Sequence, residues 1–202
     1  MNKVVRTNLL LFLMPACLLS AQTALAQETP REDKHYLGLL VTAFNHRTIG
    51  EVSSEQATGS GGALVIGSHI NDLFHAELRL GGGFRDAEVP NSDLTLAVDY
   101  FASWYMGLHY PVTDYANVYA QAGFSFIHGT GEFTEEEGEG RAQFRDLEGD
   151  FPESSFSVSW VLGMDFEIMN DTYLVLEGGK LFEDTGTEAN TFQFSTGLKY
   201  EF

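Results

Sequence analysis

The stretch Leu94–Tyr110, LTLAVDYFASWYMGLHY, decides the fold. Every even position in it is apolar: Leu94, Leu96, Val98, Tyr100, Ala102, Trp104, Met106, Leu108 and Tyr110. The odd positions include Thr95, Asp99, Ser103, Gly107 and His109. A period of two is that of a β-strand. Strands in small soluble domains usually run about 5–6 residues. A strand this long, apolar along one face, asks what apolar medium covers it.

The N-terminus sets the compartment. Lys3 and Arg6 precede an apolar run from Leu9 to Ala21, and Ala24-Leu25-Ala26 closes it with small residues at the first and third places. This reads as a secretory signal peptide over residues 1–26, cleaved after Ala26 and excluded from the fold. Its apolar run is shorter than the ~20 residues of a spanning helix. The Met14-Pro15-Ala16 stretch makes Cys17 a poor lipoprotein cysteine. Of the 11 basic residues, the signal segment holds Lys3 and Arg6; it holds none of the 29 acidic ones, so the remaining chain carries a net charge of −20. With Cys17 gone, neither a disulfide framework nor a thiolate metal site is available. The acidity argues against nucleic acid as a partner. After Ala26 no run of about 18 apolar residues exists, so any membrane crossing must use strands.

Read in period two, residues 27–202 form one domain of eight segments, roughly 35–44, 62–70, 74–84, 94–110, 118–127, 155–168, 172–182 and 191–202. Asn71-Asp72, Val112–Asn117 and Asn170-Asp171 make short turns; 45–61, 85–93, 128–154 and 183–190 make longer links. Three stretches repeat strand, short turn, strand: GSHINDLFHAELRLGGGF, GLHYPVTDYANVYAQAGFSF and GMDFEIMNDTYLVLEGGKLF. Short turns at one end and long loops at the other predict an all-β, eight-stranded antiparallel up-and-down barrel.

In a soluble barrel the apolar face points inward; in an outer-membrane barrel it points to lipid. The polar face here is Gly, Ser, Gln and Thr with few charges: Glu77, Arg79, Asp99, Asp165, Glu167, Glu177 and Lys199. That composition suits a narrow interior better than a solvated surface. Aromatic residues sit near both ends of the apolar face: Phe84, Phe126, Phe156, Phe182 and Phe192 toward the long loops, and Phe74, Tyr110, Phe166 and Tyr200 toward the short turns. Two aromatic girdles are what a bilayer interface selects. The apolar row of 94–110 is therefore assigned outward, toward lipid, with the Leu94 end projecting beyond the membrane because the stretch exceeds the ~9–11 residues a tilted strand needs, and Trp104→Lys should disturb assembly more than Ser103→Lys.

The chain ends on Phe202, with Tyr200 and Leu198 in phase before it. This ending resembles the C-terminal signal read by the outer-membrane barrel assembly machinery. With the signal peptide and eight strands, the chain resembles the small outer-membrane β-barrel family that includes the OmpA transmembrane domain and OmpX. HYLGLLVTAF is similar to that family's opening strand, although Leu40 and Thr42 depart from its pattern, and GSHINDLFHAELRLGGGF is similar to its first periplasmic hairpin, with Glu77 inward. The resemblance implies a monomer in the outer membrane of a Gram-negative bacterium. It implies outer-membrane lipid and lipopolysaccharide as surroundings, and the assembly machinery and periplasmic chaperones as partners.

Eight strands leave an interior that side chains can fill. Glu77, Arg79, Asp99, Asp165, Glu177 and Lys199 are expected to form a buried polar network there, leaving no open pore. Lys180 falls on the lipid face by strict alternation; it lies at the rim and snorkels, or Gly178-Gly179 forms a bulge that turns it inward, the rim being preferred. No catalytic, cofactor or metal site is read. Some barrels of this size modify lipid A, but the chain lacks His-x-Ser. His46-Arg47-Thr48 and His128-Gly129-Thr130 have only the spacing, with Thr and at loops. The acidic link 128–154 carries Glu132, Glu135, Glu136, Glu137, Glu139, Asp146, Glu148, Asp150 and Glu153. It reads first as a solvated charge run, and second as a place for divalent cations or a basic partner. The expected role is structural or surface-interacting. Adhesion through the extracellular loops comes second and lipid A modification third.

Overall fold

A computed structural model describes residues 31–49, 55–134, 144–152, 156–183 and 190–202. The expected signal peptide lies outside them, as do Glu135, Glu136, Glu137, Glu139 and Glu153 and the side chains of Asp146 and Asp150. The strands are β1 His35–Ile49, β2 Glu55–His69, β3 Phe74–Arg85, β4 Ala87–Glu88, β5 Leu94–Thr113, β6 Ala116–Phe133, β7 Gly149–Phe151, β8 Phe156–Met169, β9 Thr172–Glu183 and β10 Asn190–Glu201. Eight are long. β4 and β7 are short side pieces, paired to β5 and to β6.

All pairings are antiparallel. The order β1-β2-β3-β5-β6-β8-β9-β10 returns to β1 through the β1–β10 ladder, so the sheet closes on itself. Closure leaves the long strands no exposed edge, which a sheet in lipid requires. Among the described residues no helix is long and apolar enough to cross a membrane.

The eight predicted segments match the eight long strands, and the middle ones keep their phase. Leu78, Leu80, Trp104, Met106, Leu108, Phe124, Trp160, Leu162 and Leu198 all face outward and are exposed. Three strands run well past the predicted limits at the long-loop end. β1 extends to Ile49, β2 begins at Glu55, and β6 reaches Phe133. The added residues in β2, Glu55 to Gly61, are small and polar, so they carry no apolar alternation to read. They are strand because β1 pairs with them, up to Ile49 opposite Glu55. β5 has 20 residues and β6 has 18, against the ~9–11 a tilted spanning strand needs. The excess forms a crown beyond the membrane.

One bulge corrects the reading of the decisive stretch. In the β5–β6 ladder Val98 pairs with Gly129 and Tyr100 with His128, leaving Asp99 unpaired. An extra residue reverses the alternation beyond it. From Tyr100 to Tyr110 the even positions face lipid as predicted. Above the bulge, Leu94, Leu96 and Val98 turn inward and are buried. There Leu94 and Leu96 join Ala57, Ala87, Val89, Phe144, Leu147 and Phe151 in an apolar cluster inside the crown. Asp99, predicted in the lumen, is instead an exposed residue 3.9 Å from His128.

A second bulge, at Leu181, settles Lys180. Thr191 pairs with Phe182 and Phe192 with Lys180, so Leu181 is the extra residue. Leu181 and Phe182 are buried, which removes Phe182 from the predicted lipid-facing girdle. Lys180 stays outward at the long-loop end, ion-paired with Glu183. The bulge therefore follows the glycine pair and does not turn the lysine inward.

Candidate functional site

Among the described residues, buried polar side chains gather in the barrel interior, layered along its axis. The lowest layer lies at the short-turn end. Glu201 is fully buried there, with His69 Nε2 3.2 Å from one oxygen, Arg31 Nε 3.4 Å from the other, and Lys199 Nζ at 3.7 Å. Arg31 precedes β1; its guanidinium lies 4.7 Å from the centre of the Tyr173 ring, and its backbone N–H donates to Asp72. Burial pulls the Arg31 guanidinium down, but Glu201 and Asp165 outweigh it and raise it above its ordinary value. Lys199 also donates to Asp165 at 2.5 Å, and Asn117 donates to the other Asp165 oxygen at 2.7 Å.

Three imidazoles share this end. The ring centres of His69, His75 and His109 are 4.9 to 6.0 Å apart, and all three rings are buried. They come from β2, β3 and β5, gathered because His69 pairs with His75 and His75 with Gly107 across the sheet. Among the described residues, no three His, Cys, Asp or Glu side chains are placed to hold one metal ion.

The next layer centres on Arg79. Its Nε donates to Glu77 at 2.5 Å, Nη2 donates to Gln121 at 2.9 Å and to Glu177 at 3.0 Å, and Nη1 also bonds Glu177. Tyr36 donates to Glu77 at 3.0 Å and Tyr119 to Glu177 at 2.8 Å. A guanidinium forked between two carboxylates is the geometry that satisfies most of its donors. Gly67 makes room for the Tyr36 ring, since a Cβ there would lie 2.1 Å from it.

Above this comes a hydroxyl layer. Ser103 and Ser125 are 2.7 Å apart, Ser125 donates to Ser159 at 2.9 Å, and Thr42 and Ser195 are 2.9 Å apart. Then come apolar residues: Phe44 and Phe101 edge to face, with Ile127, Leu181 and Phe182. His46 lies here, inward and buried, 3.0 Å from Thr191 and against Phe151. His128 stands with Asp99 outside the barrel wall. Both stretches lie in strands and not at loops as expected: His46 of β1 points inward, while His128 and Thr130 of β6 share the outward face at the long-loop end.

Of the six residues read from sequence as a lumen network, the structure brings five together. Glu77, Arg79 and Glu177 bond directly; Asp165 and Lys199 bond one another a layer below; Asp99 is elsewhere. Sequence reasoning missed Arg31, Tyr36, Tyr119 and the role of His69. Tyr36 and His69 fall in strands with weak alternation, and Arg31 precedes the first strand, so period gave no signal. Gln121, His75, His109 and Glu201 were legible as inward by phase alone. The void left among these side chains is about 20 Å³, lined by Tyr36, His69, His75, His109, Tyr119 and Lys199 among others. That is room for about one water.

A closed antiparallel barrel with a polar, side-chain-filled lumen and an apolar exterior is the arrangement of an outer-membrane protein. A family model of the outer membrane protein beta-barrel domain matches residues 11–202. The chain belongs to that family. It is a bacterial outer-membrane β-barrel, in agreement with the resemblance its sequence carries. Among solved structures it is similar to the attachment invasion locus protein Ail of Yersinia pestis. The TM-score is 0.56 at 12% identity, over 85% of this chain and 99% of that one. It is similar to Neisserial surface protein A, with TM-score 0.54 at 15% identity, over 85% of this chain and all of that one. The N-terminal barrel domain of Pseudomonas aeruginosa OprF gives 0.51 at 12%, over 86% and 100%. At these identities the likeness is one of fold. No curated protein matches the sequence.

Leu198, Tyr200 and Phe202, the residues resembling an assembly signal, all face outward and are exposed. Phe202 exchanges two backbone hydrogen bonds with His35, at 2.8 and 2.9 Å, so this segment lies at the seam where the first and last strands meet.

Proposed function

We propose that this barrel is a sealed, non-enzymatic surface protein whose work is done by its extracellular crown. The observation that carries the reading is the filled lumen. Ion pairs, hydroxyls and aromatic rings follow one another along the axis, and the hollow among the ion pairs of the lower layers is about 20 Å³. Conduction would require the Arg79 fork to come apart, leaving Glu77 and Glu177 buried without their cation. The crown, by contrast, is long and internally packed around Leu94, Leu96, Phe144, Leu147 and Phe151. Such packing supports a lasting surface shape.

The exposed residues on this crown include Glu88, Asp99, Glu132 and Glu148. Ail has been solved in complex with the heparin analogue sucrose octasulfate. The present crown is acidic, so a polyanion of that kind would be repelled from it. A basic surface or a bridging divalent cation is the better complement. Adhesion through the crown is the more specific form of this reading. Recording in planar bilayers tests the sealed lumen: the expected trace is free of steady channels, and a stable open level of porin size overturns the proposal. A deletion strain compared with wild type for envelope integrity and for attachment separates a structural role from adhesion.

A further inference from the structure

The lipid-facing wall of β8, β9, β10 and β1 is apolar until its long-loop end, where two cations appear. Arg47 and Lys180 both point outward, on either side of Phe192. The Arg47 guanidinium lies 4.6 Å from the centre of the Phe192 ring, and Phe192 pairs in register with Lys180, which pairs with Trp160. The two cations differ in what holds them. Lys180 is bound to Glu183. Arg47 donates through Nε to Asn45 at 2.5 Å, and among the described residues no carboxylate pairs with it.

Arg47 also lines one end of an open hollow in the outer wall, with Trp160, Leu162, Met164, Leu176 and Phe194. The hollow exists because Gly178, outward between Leu176 and Lys180, has no side chain; a Cβ there would sit 3.0 Å from the Phe194 ring. From Trp160 to Met164 it follows β8 for about 13 Å at ~3.3 Å per residue. One surface feature thus joins a guanidinium with no carboxylate partner among the described residues to an apolar trough running toward the membrane centre.

We propose that this is a seat for one molecule of phosphorylated glycolipid, the lipid anchor of lipopolysaccharide. Its phosphate is forked by Arg47 and one acyl chain lies in the hollow. Guanidinium and phosphate match in shape as well as charge, and the pair forms charge-assisted hydrogen bonds. An unpaired cation in the outer wall is costly unless it reaches the interface and meets an anion there. The rest of the chain sharpens the point. Residues 27–202 carry a net charge of −20, so an anionic leaflet repels this protein in general and must be met by particular cations. The proposal concerns the wall and is independent of what the crown binds.

The test uses the full mature chain, refolded into neutral phosphatidylcholine vesicles doped with bisphosphorylated lipid A, dephosphorylated lipid A or phosphatidylglycerol. Each variant is first checked for folding by heat-modifiable gel mobility. Bisphosphorylated lipid A should raise the thermal unfolding midpoint and survive as a one-to-one adduct in native mass spectrometry, and the dephosphorylated form should do neither. Arg47→Gln should weaken apparent affinity about tenfold or more, the scale of one hydrogen bond to a charged group. Arg47→Lys should retain part of it, and Gly178→Leu should weaken it by filling the trough. Arg47 lies at the rim with Asn45 as its hydrogen-bond partner, so its substitution leaves the barrel intact. Equal stabilisation by phosphatidylglycerol, or undiminished binding to Arg47→Gln, overturns the proposal.

Discussion

The Arg79 guanidinium bonds Glu77, Gln121 and Glu177, a partner 98 positions away in sequence, and all four side chains are buried. Arg79→Met should therefore leave two carboxylates facing each other without a cation, at a cost of about 3–5 kcal/mol. Urea unfolding in micelles, followed by gel mobility, measures it. The triple variant Arg79→Met, Glu77→Gln, Glu177→Gln should recover part of the loss, because no uncompensated charge remains; equal stability of the two variants would contradict this account. Packing also narrows a contrast drawn from sequence. Trp104→Lys places a charge on the lipid face, at about 2–4 kcal/mol near the midplane. Ser103→Lys was expected to be milder because Ser103 faces inward. Ser103 is 1% exposed and bonded to Ser125, so a lysine there has neither room nor partner. Both variants should fail to acquire heat-modifiable mobility.

At the scale of elements, the two bulges do more than their single residues suggest. Deleting Asp99 should remove the bulge and join Val98 directly to Tyr100, and because these two already pair with the adjacent Gly129 and His128, Leu94, Leu96 and Val98 should stay inward. The lower barrel, from Tyr100 down, keeps its register, and the crown keeps its apolar cluster. The expected result is a protein that still shifts on a gel when unboiled and whose long-loop end resists protease as the parent chain does. Faster cleavage there would mean that the bulge itself, and not only the cluster, holds the crown. The strand count, the short turns and the lipid side of β3, β5 below the bulge, β6, β8 and β10 were legible, since each carries its own apolar period. Asp99 and Phe182 were misplaced for one reason: a bulge reverses the phase of the residues beyond it and needs no distinctive residue type. The upper parts of β1, Asn45 to Ile49, and of β2, Glu55 to Gly61, were missed because their mostly polar or small residues carry no apolar alternation, and only pairing with the partner strand makes them strand.

For the whole molecule, closure ties stability to the seam between β1 and β10. There Phe202 and His35 exchange backbone bonds while Glu201, one residue earlier, points inward to Arg31, His69 and Lys199. Glu201→Gln should weaken the hold on Arg31 and His69 and lower the thermal midpoint of the refolded barrel, with Phe202 and its outward face untouched. Deleting Phe202 should instead slow insertion in cells more than it lowers that midpoint in detergent. Measuring both quantities for both variants separates a lumen contact from an assembly signal; identical behaviour would join them into one role.

The sequence by itself determined that this chain is exported, that it crosses a membrane with eight strands, and that its apolar rows face lipid. Those properties follow from local period, charge and the order of short and long links. Only the tertiary structure decided which polar residues meet. The Arg79 fork, the three histidines and the cations around Glu201 come from strands far apart in sequence, and contact between them depends on register and closure. It also decided where the decisive stretch changes sides, because one unpaired residue in a ladder moves every side chain above it to the other face.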